Sequence, residues 1–251
     1  MEFGFDFYMV AVLAVFITGI AKSGFAGGGA MLAVPLMTLF ISPQVAAAIM
    51  LPILFVIDLF NLWKYRNDIS MSLLKILLPG AMIGILIGAM TWRYLDADML
   101  RFGIGLLALY FAGRYFLENR RKSEARKMGP VAGAFMGGLG GLTSFITHAG
   151  GPPVNAYVLS QNVDKSVVMA TNIYYFFIVN MVKLLPYFLL GQFSAENMTV
   201  TLYLAPVVPV GILVGYYLHG LVSQLLFTQI AYGLLVLTGL KLAWDGIVGF
   251  L

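Results

Sequence analysis

Two glycine-rich stretches hold most of the residues here that could do chemistry. The first is Lys22-Ser23-Gly24-Phe25-Ala26-Gly27-Gly28-Gly29. The second is Thr147-His148-Ala149-Gly150-Gly151-Pro152-Pro153. Each interrupts a run of residues otherwise fit for lipid. Glycine costs about 1 kcal/mol in a helix interior and proline about 3, relative to alanine, so both stretches read as helix breaks. Inside a membrane a break survives only where the freed backbone groups are buried in protein or face water. Gly/Pro-interrupted apolar segments at corresponding positions of two halves point to a transporter's binding site. Close helix packing by small residues is the alternative use of the same glycines. Two ionisable residues lie within long apolar runs, Asp58 and Lys183. Such residues face the protein interior or a water-filled cavity and are functional by default.

The composition fixes the setting. The 251 residues are 61% hydrophobic and 10% charged, where soluble domains carry about 25% charged residues. The runs 23–57, 128–163 and 197–240, uncharged apart from His148 and His219, each exceed the roughly 20 residues of a transmembrane helix. The expectation is an all-α polytopic membrane protein, with no soluble domain. A β-barrel is excluded by the lack of short alternating segments. Glu2 and Asp6 stand where a cleavable signal peptide would carry positive charge. The chain has no cysteine and two histidines, which excludes disulfides, thiolate metal sites and multi-His metal sites. No catalytic residue, metal or cofactor is expected. The net charge of +4 reads as loop lysine and arginine that set orientation, not as a nucleic-acid surface.

The chain divides into repeat 1 (1–117), a basic loop (118–129) and repeat 2 (130–251), within one transmembrane domain. Each repeat is expected to hold a glycine-broken pair of short segments and three full transmembrane helices. Gly28-Gly29 corresponds to Gly150-Gly151 at an offset of 122, and Pro79, Gly84 and Gly88 correspond to Pro206, Gly211 and Gly215 at 127. Gly80, Gly84 and Gly88 share one helical face suited to close packing. With the amino terminus outside, Lys64, Arg66, Lys75, Arg114, Lys165 and the basic cluster 120–127 fall on the cytoplasmic side, and only Arg93 and Arg101 outside. That is a positive-inside distribution. An odd number of full spans per repeat inverts the second repeat relative to the first, the arrangement of many secondary transporters.

The motifs also resemble a family. Gly24-Phe25-Ala26-Gly27-Gly28-Gly29 followed by Pro35-Leu36, with Gly150-Gly151-Pro152-Pro153-Val154 followed by Tyr157 and Leu159, resembles the paired motifs of the TauE/SafE sulfite exporters. The resemblance implies export of small sulfur-containing anions, such as sulfite, sulfoacetate or other organosulfonates, across the bacterial inner membrane. The sequence departs from many members at Asn172, which replaces a serine. A sulfur oxyanion needs donors. Freed helix amino-termini near Gly28 and Gly151 supply backbone N–H groups and partial positive charge. The expected binding residues are Lys22, Ser23, Gly24, Gly27, Gly28, Gly29, Ser144, Thr147, His148, Gly150, Gly151, Asn155, Asn172 and Lys183, with Asp58 as the coupling candidate. For Lys22 the alternative is snorkelling toward water. For His148 it is a structural bond to a backbone carbonyl. Asp58 and Lys183 have a structural ion pair as their alternative. Tyr174 to Phe177 read either as an aromatic wall of the site or as helix packing. The competing functions are an anion channel and a membrane-embedded enzyme; the expected partners are the anion, the bilayer and a second copy of the chain, with no nucleic acid.

Overall fold

The computed structural model describes residues 3–25, 30–118 and 127–250. Gly27, Gly28, Gly29 and the basic cluster Arg120, Arg121, Lys122 and Arg126 lie outside the described residues. The helices are α1 (Phe5–Gly24), α2 (Ala33–Thr38, preceded by a 3-10 turn at Ala30–Leu32), α3 (Pro43–Lys64), α4 (Met71–Thr91), α5 (Ala97–Glu118), α6 (Pro130–Thr147), α7 (Gly151–Ser160), α8 (Lys165–Leu189), α9 (Ala195–Leu204), α10 (Val207–Leu218) and α11 (Gln224–Gly249). There is no strand among the described residues. Seven helices are long and apolar enough to cross a membrane, and an eighth span arises if α9 and α10 are taken together. The protein is an all-helical, multi-pass membrane protein.

Local chemistry sets the boundaries. Ser42, Ser194 and Ser223 cap α3, α9 and α11 by accepting from the amides of Val45, Asn197 and Leu226. Pro43 and Pro130 occupy first-turn positions, where the missing N–H is not needed.

Two elements differ from the sequence expectation. The first member of each broken pair is a long helix, 20 residues in α1 and 18 in α6; only α2 and α7 are short. In α1 the one glycine before Gly24 is Gly19, which stands alone and packs against Gly211. In α6 the glycines pack so closely on α4 that tertiary contact outweighs their low helix propensity. Conversely, the expected single span 200–218 is split into α9 and α10, bent by 42°. Pro206 and Pro209 remove two backbone donors within one turn, whereas Pro79 stands alone and leaves α4 continuous.

The glycine faces decide which helices touch. α4 lies on α6 and α1 on α10; α5 packs along α11, and α3 against α8. A Cβ at Gly84 would lie 2.7 Å from the Leu142 nitrogen, and one at Gly211 would lie 3.0 Å from the Phe16 carbonyl oxygen. These contacts bring backbones together without interposed side chains.

Candidate functional site

The breaks after α1 and α6 end beside the contact of α3 with α8. A cavity of about 60 Å³ opens there, and residues from both breaks line it: Lys22, Ala30 and Met31 from the first, Ser144, His148 and Gly151 from the second. Asn155 on α7 and Asn172, Phe176 and Asn180 on α8 complete much of the polar and aromatic wall. A cavity needs about 10–15 Å³ of such space to hold one water, so this one has room for a small anion.

Lys22 is 8% exposed and does not snorkel. Its Nζ lies 2.5 Å from Asp58 Oδ1 and 5.6 Å from the centre of the Phe176 ring. Asp58 is fully buried behind it, and its second oxygen accepts from Asn180 Nδ2 at 2.7 Å. That bond fixes the Asn180 amide, because its oxygen facing a carboxylate would be repelled. Asn180 Oδ1 and Asn172 Oδ1 are buried without partners. Asn172 Nδ2 donates to Asn155 Oδ1 at 2.5 Å, tying α8 to α7.

Lys183 is fully buried one turn beyond Asn180. Its Nζ donates to the Ser144 carbonyl at 2.7 Å, and contacts Ser144 Oγ at 3.1 Å and His148 Nδ1 at 2.7 Å. None of these three partners is a carboxylate. The suggested Asp58–Lys183 ion pair is therefore replaced by Asp58–Lys22. His148 Nε2 lies 2.9 Å from the Ala47 carbonyl oxygen, an acceptor only, so Nε2 carries the hydrogen. Nδ1 is then free to accept from Lys183. His148 thus combines the two alternatives, bonding a carbonyl on α3 while its side chain borders the cavity. It also closes α6 in the left-handed conformation at φ 56°, which turns the chain sharply into α7.

Other expected residues do structural work. Thr147 Oγ1 bonds the Thr143 carbonyl within α6. Gly24 packs against Gly215, and a Cβ at Gly150 would lie 3.0 Å from Phe176 and Ser144 side-chain atoms. The Ser23 hydroxyl is buried and unpartnered. Of the four consecutive aromatics, Phe176 borders the cavity, Tyr175 donates to the Gly137 carbonyl at 2.9 Å, Phe177 stacks on Phe55, and Tyr174 packs on the core. Sequence reasoning missed Met31, Met169 and Tyr232 as lining residues. Met169 lies one turn before Asn172 on the same face of α8, which helical spacing could have shown; Met31 and Tyr232, on the turn before α2 and on α11, are brought in by tertiary packing that periodicity does not register.

A second, wider cavity of about 510 Å³ adjoins the first, sharing Pro152, Asn155 and Tyr232 with it. Phe25, Phe111 and Leu139 supply apolar wall, and Arg114 and Gln224 border it near the end of α5 and the start of α11. Opposite, beyond Lys183, Trp92, Phe145, Tyr187 and Phe193 form a contiguous aromatic cluster. Trp92 meets Phe145 edge-on at 5.5 Å, and Tyr187 lies 5.1 Å from Phe145 and 6.1 Å from Phe193.

The fold and the cavity define a polytopic helical membrane protein with a cationic pocket between two helix breaks. A family model described as sulfite exporter TauE/SafE matches residues 11–242; the chain belongs to that family. Among curated proteins and among solved structures, none matches it.

Proposed function

We propose that the protein exports a small sulfur-containing anion by alternating access, binding it in the cavity between the two breaks. The observation that carries this is the convergence of both breaks on one buried pocket holding Lys22, with Lys183 directly behind it. Two lysines and one carboxylate leave an excess positive charge. The family supplies the transport class, and the pocket supplies the preference for anions.

The two halves, 1–117 and 130–251, act as inverted repeats about an axis in the membrane plane. The helix pairing supports this. Exchanging the halves turns the α1–α10 contact into α6–α4 and maps α3–α8 and α5–α11 onto themselves. Asp58 lies about 22 Å along α3 from Pro43, and Asn180 about 22 Å along α8 from Lys165, at about 1.5 Å per residue. Their contact therefore falls at the same depth from opposite ends, which supports a site near the midplane of a bilayer core about 30 Å thick.

The basic loops give the cytoplasmic side and put the amino terminus outside, in the bacterial inner membrane. The wide cavity beside Arg114 and Gln224 then opens inward, and the Trp92–Phe145–Tyr187–Phe193 cluster seals the outward path. This state receives an anion from the cytoplasm, as export requires. The test is proteoliposome counterflow with sulfite, sulfate, sulfoacetate, taurine and acetate. Preferential exchange of a sulfur oxyanion over acetate supports the reading. Equal, slow uptake of all five defeats it.

A further inference from the structure

We propose that the pocket is charge-matched to a monovalent oxyanion and admits a divalent one only together with a proton taken up by Asp58. This rests on the anion-transport reading above.

Lys22 faces the cavity, but Asp58 already occupies it at 2.5 Å. Lys183 carries its hydrogen bonds to a carbonyl, a hydroxyl and a neutral imidazole. Three donors meeting three acceptors is the pattern of an ammonium, so the site sets two cations against one carboxylate, one positive charge in excess. Unbalanced charge among fully buried groups is costly. One negative charge completes the set, and a single sulfonate or bisulfite supplies it. A dianion would leave the pocket one negative charge in excess. It fits once the Asp58 carboxylate takes a proton, because Lys22 is then released and the site carries two positive charges.

Asp58 is placed for that exchange. Its charged neighbours are Lys22 from α1 and Lys183 from α8. Further titratable side chains on the packed elements have their partners elsewhere: His148 bonds Ala47 of the same α3 helix, Tyr65 bonds Ser23, Tyr216 from α10 bonds Asn61, Tyr175 and Tyr187 of α8 bond Gly137 and Phe145, His219 bonds Gly24, and Lys64 lies over the Tyr216 ring. None of them bonds Asp58 itself. Asn180 serves both states: its Nδ2 donates to the carboxylate, and its unpartnered Oδ1 accepts from a protonated Asp58 after a flip of the amide. In a cycle with a dianion, the proton comes from cytoplasmic water, rides on Asp58 and leaves to water on the far side. One net negative charge crosses per turnover with either class of anion.

The experiment uses the full-length protein in proteoliposomes with two probes, methanesulfonate, which stays monovalent, and sulfate, which stays divalent, between about pH 6 and pH 8. Methanesulfonate exchange is expected to be flat with pH. Sulfate exchange is expected to rise about tenfold per unit of acidification while Asp58 is mostly ionised, one proton per anion. Asp58→Asn is expected to flatten the sulfate profile. The wild-type profiles decide the charge rule alone, and a sulfate profile as steep in folded Asp58→Asn as in wild type overturns the assignment of the proton to Asp58. Exchange of both anions with no difference in pH dependence overturns the charge rule and spares the transport reading. Exchange of neither anion overturns the transport reading and the rule with it.

Discussion

Asn180 donates to Asp58 at 2.7 Å across a separation of 122 residues, the same offset that relates the two glycine breaks in the sequence. The contact does not stand alone. Asn61 Nδ2 reaches the Lys22 carbonyl at 3.4 Å, and Lys183 Nζ, 122 residues after Asn61, bonds the carbonyl of Ser144, 122 after Lys22. The Tyr65 hydroxyl reaches the Ser23 carbonyl, and the Tyr187 hydroxyl bonds that of Phe145, again 122 along in each case. One backbone plan thus holds the end of each broken helix to a crossing helix. Different side chains fill it, an ion pair in one half and a lysine–histidine pair in the other.

Asp58→Ala leaves Lys22 buried and uncompensated. A loss of about 3–5 kcal/mol is expected, read as a fall in the unfolding midpoint of the purified protein in detergent. Joining it to Lys22→Met removes both charges and is expected to recover much of that loss. Additive losses in the double variant would mean that the two residues are not coupled.

Lys183→Met removes the positive charge that no carboxylate balances. Anion exchange is expected to fall by at least tenfold, with the protein still in the membrane fraction. His148→Ile loses the bonds to Lys183 and Ala47 and forces a β-branched residue into φ 56°. It is expected to lower stability by about 1–3 kcal/mol from backbone strain alone. Thermal unfolding of the two variants separates the effects, because only the second carries the strain.

The glycines divide into packing and site positions, and substitution distinguishes them. At Gly84 a Cβ would press on the α6 backbone, so Gly84→Val is expected to reduce folded protein in size-exclusion chromatography. At Gly151 a Cβ meets nothing within 4 Å. Gly151→Leu is expected to fold normally and to lose transport, because its side chain occupies the cavity. Normal transport by Gly151→Leu would remove this glycine from the site.

Much of this was legible in the chain. The helical class follows from uncharged runs alone, and the breaks follow from Gly-Gly-Gly and Gly-Gly-Pro-Pro. The packing face of α4 follows from glycines four residues apart. The partner of Lys22 was not legible, because Asp58 sits on another helix and only the crossing of α1 and α3 brings them together. Nor was the persistence of α6 through its glycines, where contact with α4 overrides propensity. The α9–α10 bend was visible as Pro206 and Pro209, yet the apolar run through them reads as one span. Thr147 and Gly24 show the converse: they share the motifs but spend their contacts on helix packing.

In the proposed orientation Trp92 is the seal of the outward path, through its contacts with Phe145 and Tyr187. The native chain has no cysteine, so Met169→Cys places a single label in the cavity wall. Adding Trp92→Ala is expected to raise its labelling by an impermeant maleimide applied from outside. Unchanged labelling would show that the aromatic cluster is not the seal.

Both breaks are proposed to build one anion site around Lys22. Equilibrium binding of sulfoacetate to the purified protein tests it most directly, with acetate as the control and Lys22→Gln and Gly151→Leu as variants from the two halves. The expected result is saturable sulfoacetate binding, at least tenfold weaker in each variant, a loss of about 1.4 kcal/mol or more, with acetate weaker still. Sulfoacetate binding of wild-type strength in both variants would contradict it.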